Sequence, residues 1–302
     1  MTAPASDHAP SGLPAALGAY LIWGFLPLYL ILVCSVPAFE FVGWRIIWTL
    51  PFCLLIVAAR RQFSAIKEAL ANWRTVGLLL TSATLIAINW FIYVWAIMEN
   101  QVYAASLGYY LNPLINVLLG TLLLGERLSR WQWLAVAIAS GAVALLLAGA
   151  LTTLWISLSL AMSFGTYGLV RKQVAVGSLP GLTIESAILL LPAIGIVTWY
   201  AQTPAGPSFG GDLWLSLAII AGGVVTAVPL LLFAIAARRM PYSTLGFIQF
   251  LAPTIVFILG LTVFKQELRL VQLGSFVLIW TALVIFVADL WARTRRKPAP
   301  VT

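Results

Sequence analysis

The chain has 302 residues, 62% of them apolar and 9% charged, with a mean hydropathy of +1.02 and a net charge of +8. A soluble domain carries about 25% charged residues, so no water-facing surface can be built from this composition. The alternating segments of an outer-membrane barrel are absent, and the cations fall between apolar runs, which excludes a barrel and argues against nucleic acid as a partner.

The first twelve residues hold Asp7 and His8 but no Lys or Arg. This opening reads as a disordered tail, 1–12, rather than the basic leader of a signal peptide. Apolar runs suited to helices crossing a roughly 30 Å core follow. The first half places them at 13–34, 39–58, 75–97, 102–124 and 131–149. The second half places them at 152–170, 181–200, 213–236, 243–263 and 270–290, and residues 291–302 form a basic tail. Between the second and third spans, Phe63, Ile66, Leu70 and Trp73 recur at helical intervals among charges, which predicts a short helix lying in the membrane interface. The loop from Gln202 to Asp212, rich in Gly and Pro, reads as a spacer.

The halves echo one another. Pro51 and Pro192 are 141 positions apart, as are Trp23-Gly24 and Phe164-Gly165; Pro113 and Pro253, and Gly120 and Gly260, are 140 apart. Five spans per half is an odd number, so the second half, 152–290, runs opposite to the first, 13–149. Inverted repeats of this kind build secondary transporters, with the substrate site where the halves meet. Loop charge orients the whole. Arg60, Arg61, Lys67, Arg74, Arg127, Arg130, Arg171, Lys172, Arg238, Arg239, Arg293, Arg295, Arg296 and Lys297 fall on the face shared with the termini. Only Lys265 and Arg269 fall on the other, beside Glu99, Asp212 and Glu267. Basic loops stay cytoplasmic during insertion, so both termini are expected there.

Ionisable groups within spans are functional candidates by default. Arg45 lies about six residues from the outer end of the second span, roughly 9 Å deep at ~1.5 Å per residue. It either snorkels outward, stacked on Trp48, or faces a central cavity and attracts an anionic group. Glu185 lies about four residues into the seventh span, roughly 6 Å deep by the same rise. It either reaches cytoplasmic water or is a desolvated carboxyl able to couple transport to protons. About 15 Å of a roughly 30 Å core would separate the two backbones, which disfavours a direct pair. Glu40 reads as interfacial.

Asn112-Pro113 sits near the middle of the fourth span, and Pro113 frees the carbonyl of Tyr109; Pro253 likewise frees that of Gln249. Paired helix breaks at corresponding depths suit a central site, and a kink satisfied by neighbouring helices is the bland alternative. Asn116 continues the Asn112 face. Trp23, Asn89, Trp90, Tyr93, Tyr110 and Tyr167 complete a candidate cavity of amides and aromatic walls. Cys34 and Cys53 lie in apolar segments and read as packing residues, and His8 is the only histidine, which leaves no zinc site and no histidine-based triad. No nucleotide-binding motif is present, so no cofactor is expected.

As a set, these residues resemble the RarD branch of the drug/metabolite transporter superfamily. The first half carries the likeness through Tyr20 to Gly24, Arg45 to Trp48, Asn89-Trp90, Ala105 to Tyr109, Asn112-Pro113 and Gly125-Glu126-Arg127. The second carries it through Tyr167 to Lys172, Glu185, Val228-Pro229-Leu230 and Ser243 to Phe247, with Gln249 and Pro253. The resemblance implies an all-α integral membrane fold of ten transmembrane helices in two EamA-type repeats, in the bacterial cytoplasmic membrane, with export of a small organic metabolite or drug. Where a Gly-Glu step is expected after the ninth span the chain has Lys265-Gln266-Glu267, and no role is carried to that turn. The expected partners are a small-molecule substrate and the bilayer; a homodimer is compatible with the sequence. A passive facilitator and a non-transporting membrane sensor are the alternatives to a carrier.

Overall fold

The computed structural model describes residues 12–148, 151–267 and 269–296. The tail read at 1–12 therefore lies outside the described residues except for Gly12, as do the junction at 149–150 and the last residues of the basic tail. Twelve α-helices run in order. The first half contains α1 (Leu13–Leu30), α2 (Ala38–Ala59), α3 (Phe63–Ala71), α4 (Trp73–Met98), α5 (Val102–Leu122) and α6 (Arg130–Leu147). The second contains α7 (Leu154–Gln173), α8 (Ser178–Ala201), α9 (Leu213–Arg239), α10 (Tyr242–Gln249), α11 (Leu251–Thr262) and α12 (Leu270–Arg296). With α10 and α11 as one span, ten are long and apolar enough to cross a membrane.

Helix starts follow local chemistry. Asn72 accepts from the amides of Arg74 and Thr75, Ser129 and Gln132 form a reciprocal capping box, and Asp212 accepts from the amide of Leu215. Three boundaries differ from the sequence reading in ways that matter. Helix α8 starts at Ser178 rather than 181, because Pro180 is tolerated in a first turn whose amides need no intrahelical partner. Helix α7 runs to Gln173, which places Arg171 inside the membrane helix instead of in a loop. Helix α12 continues through Trp291 to Arg296, so the basic tail begins as helix.

Apolar burial does not drive helix association in lipid, so small residues set where the helices meet. Helix α1 packs on α9 and α11, α2 on α8 and α9, α4 on α7 and α8, α5 on α7 and α10, and α6 on α12. Exchanging the two halves maps this set of pairings onto itself. The exchange holds for single residues too: a methyl on Gly24 would meet Ile255 at 2.7 Å, and one on Gly165 would meet Ile115 at 2.7 Å. Gly24 and Gly165 occupy matching positions, and so do Ile115 and Ile255.

The proline pair behaves unequally, which corrects the expectation of two helix breaks. Helix α5 runs unbroken through Pro113, since one lost hydrogen bond leaves the ladder on either side intact. Its Pro113 carbonyl faces Gly246, where a methyl would come within 2.7 Å. Pro253 does interrupt its helix. The Phe250 amide turns back to the carbonyl of Phe247, three residues away, and α10 gives way to α11.

Gly12 lies against Ala236 and Arg239, and Ser129 binds Asp289 of α12 at 2.8 Å, so both chain ends sit at one end of the bundle, the tail end. Helix α3 lies there with Ala69 packed against α7 and α8, while Phe63, Leu70 and Trp73 stay exposed. At the opposite end the Gln202 to Asp212 loop is docked, not a spacer. Glu40, fully buried beneath it, accepts from the Ser208 amide (2.9 Å), the Ser208 hydroxyl (2.6 Å) and the Trp44 indole (3.0 Å). Phe209 covers Trp44 with ring centroids 4.6 Å apart.

The turns after the fourth and ninth spans match atom for atom in the backbone. Glu126 N–H donates to Gly120 at 3.0 Å and Gln266 N–H to Gly260 at 2.9 Å. The residue before each is left-handed, Gly125 at φ +67° and Lys265 at φ +53°. A side chain in that region costs roughly 1–2 kcal/mol. Lys265→Gly should therefore raise stability by about 1 kcal/mol and Gly125→Ala, with open space around it, should lower it by a similar amount. Thermal unfolding midpoints in detergent measure both; an unchanged midpoint in either variant contradicts the assignment of strain.

Candidate functional site

Arg45 stands seven residues inside α2 and reaches toward α4. Its guanidinium carbon is 5.0 Å from the centroid of Trp90 and 5.8 Å from that of Phe41. Trp90 and Tyr93 share a face of α4 at i and i+3, and Tyr109 of α5 meets Tyr93 edge-on at 5.7 Å. Among the described residues Arg45 forms no ion pair, and its Nε has no hydrogen-bond partner. A cation over an aromatic face gains about 0.5–2 kcal/mol while keeping its N–H donors for something else. Tyr109 beside it is 44% exposed, although it lies well inside α5. The guanidinium rests on Trp90 and Phe41 rather than on Trp48, which instead packs on Phe209 and against Gly223.

Below this cluster lies a cavity of about 10 Å³, lined by Thr49, Trp90, Tyr167, Glu185 and Thr226 among others, about the space of a single water. Tyr167, in its wall, belongs to a cluster of packed aromatic rings. Trp23 of α1 touches Phe164 of α7 at 5.7 Å and Phe233 of α9 at 5.8 Å, and Tyr167 stacks on Phe233 at 6.2 Å. Trp23 and Phe164, matched positions of the two halves, thus meet face to edge at the centre.

Toward the tail end, Glu185 accepts from the Ser82 hydroxyl of α4 and faces Arg171 of α7, with 3.4 Å between Nη1 and Oε1. Arg171 and Glu185 are only 1% and 2% exposed. Arg171 also donates to the Ser178 carbonyl at 3.0 Å, and Gly181 leaves the space its guanidinium fills. Two expectations change here. Arg171 is buried and not a surface charge, and Glu185 is buried rather than reaching out of the bundle. The reason is depth: α8 begins earlier and α7 ends later than their sequences suggest. Lys172 is also engaged, donating at 2.7 Å each to the Ala237 and Met240 carbonyls that end α9.

The remaining candidates are not brought together. Asn89 turns away from Trp90 and donates to the Leu160 carbonyl (2.9 Å) and the Ser163 hydroxyl (3.0 Å), tying α4 to α7. Tyr110 packs on Phe276 of α12, outside the central cluster. Gln249 accepts from Asn116 at 2.8 Å across α5 and α10, and Asn112 is buried with its Oδ1 unpartnered. Sequence reasoning missed Arg171, Ser82, Thr49 and Thr226. Arg171 had a signal, since Phe164, Gly168 and Arg171 recur at i, i+4 and i+7 on one helix face.

The profile of the EamA-like transporter family matches residues 10–148. An uncharacterised transporter of Pseudomonas aeruginosa is 42% identical over 296 residues, covering 98% of this chain and 99% of that protein. The protein RarD of Streptomyces exfoliatus is 40% identical, covering 98% and 94% respectively. The chain belongs to the RarD branch of the EamA family. The RarD protein of Escherichia coli is also 40% identical, over 94% of this chain. A solved crystal structure superposes with a TM-score of 0.72 at 19% identity, covering 95% of this chain and 99% of that one, which supports the same fold. This RarD-branch chain is thus a multi-pass membrane transporter, with ten candidate membrane spans among the described residues.

Removing one partner of a buried ion pair costs about 3–5 kcal/mol, because the other is left uncompensated, whereas replacing both by apolar groups is often neutral. Arg171→Met alone should destabilise this RarD-branch protein by that amount, and Arg171→Met with Glu185→Leu should recover most of the loss. Denaturant unfolding of the two variants checks this, and a double variant that is no more stable than Arg171→Met would contradict the pairing.

Proposed function

We propose that the chain is a secondary transporter of the bacterial cytoplasmic membrane that exports a small organic solute bearing an anionic or zwitterionic group. The observation that carries this reading is Arg45, unpaired by any described carboxylate and laid on the Trp90 face, with Tyr93 and Tyr109 beside it. A substrate carboxylate or similar group would take the free guanidinium donors, and its apolar part would lie on the aromatic rings.

The path runs through shared residues. Trp90 belongs both to the Arg45 cluster and to the small central cavity, and Glu185 belongs both to that cavity and to the buried pair with Arg171. In this reading a solute would approach beside the partly exposed Tyr109, and the packed rings of Trp23, Phe164 and Phe233 and the Arg171–Glu185 contact would block the way to the tail end. Alternating access follows if the two halves, threaded in opposite senses with both termini cytoplasmic, rock about the Trp23–Phe164 contact. Glu185 would couple the cycle to protons, since a proton on its carboxyl removes the charge that holds Arg171.

Topology is tested first. In a Cys34→Ser background, Glu99→Cys should react with an impermeant maleimide on intact cells, while Arg239→Cys should react only after permeabilisation. Labelling of both from the same side would overturn the opposed halves. For the site, comparison of medium and cytoplasm with and without expression should reveal a solute whose efflux falls about tenfold or more in Arg45→Met, the cost of losing a charge-assisted hydrogen bond of ~1.5–3 kcal/mol. Equal efflux at equal protein level in the membrane would remove Arg45 from the substrate site.

A further inference from the structure

A second cavity, of about 470 Å³, opens at the tail end between the close of α2, the start of α8 and the close of α9. Arg60, Arg238 and Arg239 line it together with Gln62, Ser178 and Ile235. The retention of basic loops on one side of a membrane explains why cations occur at this end. It does not explain why Arg60 at the close of α2 and the adjacent pair Arg238-Arg239 at the close of α9 border one space.

Two other cations at this end are engaged. Lys172 holds the carbonyls of Ala237 and Met240, and Arg293 pairs with Asp289 at 2.9 Å. Arg60, Arg238 and Arg239 form no ion pair among the described residues. Arg238 donates to the Val176 carbonyl through one nitrogen, and it lies within electrostatic reach of Arg239 and of buried Arg171. The first turn of α8, which enters the same cavity, has no side-chain cap. At about 470 Å³ the space is far more than a bare ion requires.

We propose that this cavity binds a phosphate group, presented by an anionic phospholipid at the membrane surface or by a free phosphate-bearing solute. Guanidinium forks match phosphate oxygens in pairs, and a dianion or monoanion relieves the mutual repulsion of the three arginines. Ile235 supplies an apolar wall beside the charged rim. This site is distinct from the Arg45 cluster and does not rest on the transport reading.

The test uses the full chain, delipidated in detergent and titrated with short-chain phosphatidic acid, with the matching diacylglycerol, and with inorganic phosphate, each followed by thermal midpoint. Saturable stabilisation by phosphatidic acid but not by diacylglycerol supports a lipid-borne phosphate; saturation by inorganic phosphate supports a free one. In either case the apparent affinity should fall tenfold or more in Arg60→Gln with Arg239→Gln, and should hold in Arg74→Gln, which changes a cation outside the cavity. Arg239→Gln alone serves if the double variant does not fold, with the same direction of change. No saturable response to either phosphate compound, an equal response to diacylglycerol, or an equal loss in Arg74→Gln would overturn the proposal.

Discussion

A charge carried into hydrocarbon has no water to meet it, so the protein must supply its partner or leave its donors to a ligand. That constraint organises the interior. Glu185 and Arg171, held within 3.4 Å, are each answered by the other and by Ser82 and Ser178. Arg45, at a comparable depth in the matching helix of the other half, is answered only by aromatic faces. One charge faces a countercharge and the other faces only aromatic rings, and the proposed substrate site is argued from this difference.

The small residues make such an interior reachable. Gly181 admits the Arg171 guanidinium, and Gly24 and Gly165 let α1 and α7 approach Ile255 and Ile115. Gly223 takes the backbone of Trp48, which draws α9 against α2 and fixes the height of the Arg45 turn above it. The Gly24, Gly165 and Gly223 contacts join the first half to the second, whereas Gly181 joins α8 to α7 within the second half. The polar residues Asn89, Asn116 and Gln249 add hydrogen bonds across the same seams.

Much of this was legible beforehand. Composition and apolar runs specify ten helical crossings, and the spacing of 141 between Trp23-Gly24 and Phe164-Gly165 announces residues that prove to sit in matching contacts. Arg45, Trp90, Tyr93 and Tyr109 were nominated from polarity and helical spacing and do converge. Asn89 and Tyr110 were nominated on the same grounds and do not, because a neighbour in sequence points about 100° away on a helix. Arg171 was misplaced by an error of a few residues in two helix ends, which is enough to turn a buried countercharge into a loop cation. The docked Glu40–Ser208 contact was illegible, since nothing local in a Gly- and Pro-rich loop tells where it folds back.

The turns at Glu126 and Gln266 are twins in backbone but not in charge. The Glu126 carboxylate grips the start of α10 through the Tyr242 amide at 2.5 Å and the Ser243 amide and hydroxyl at 2.8 and 2.6 Å. Its counterpart across the molecule is a neutral amide. The duplicated turn is therefore not duplicated in charge: a carboxylate joins the end of α5 to the start of α10, whereas the Gln266 amide lies beside Gly260 of its own half.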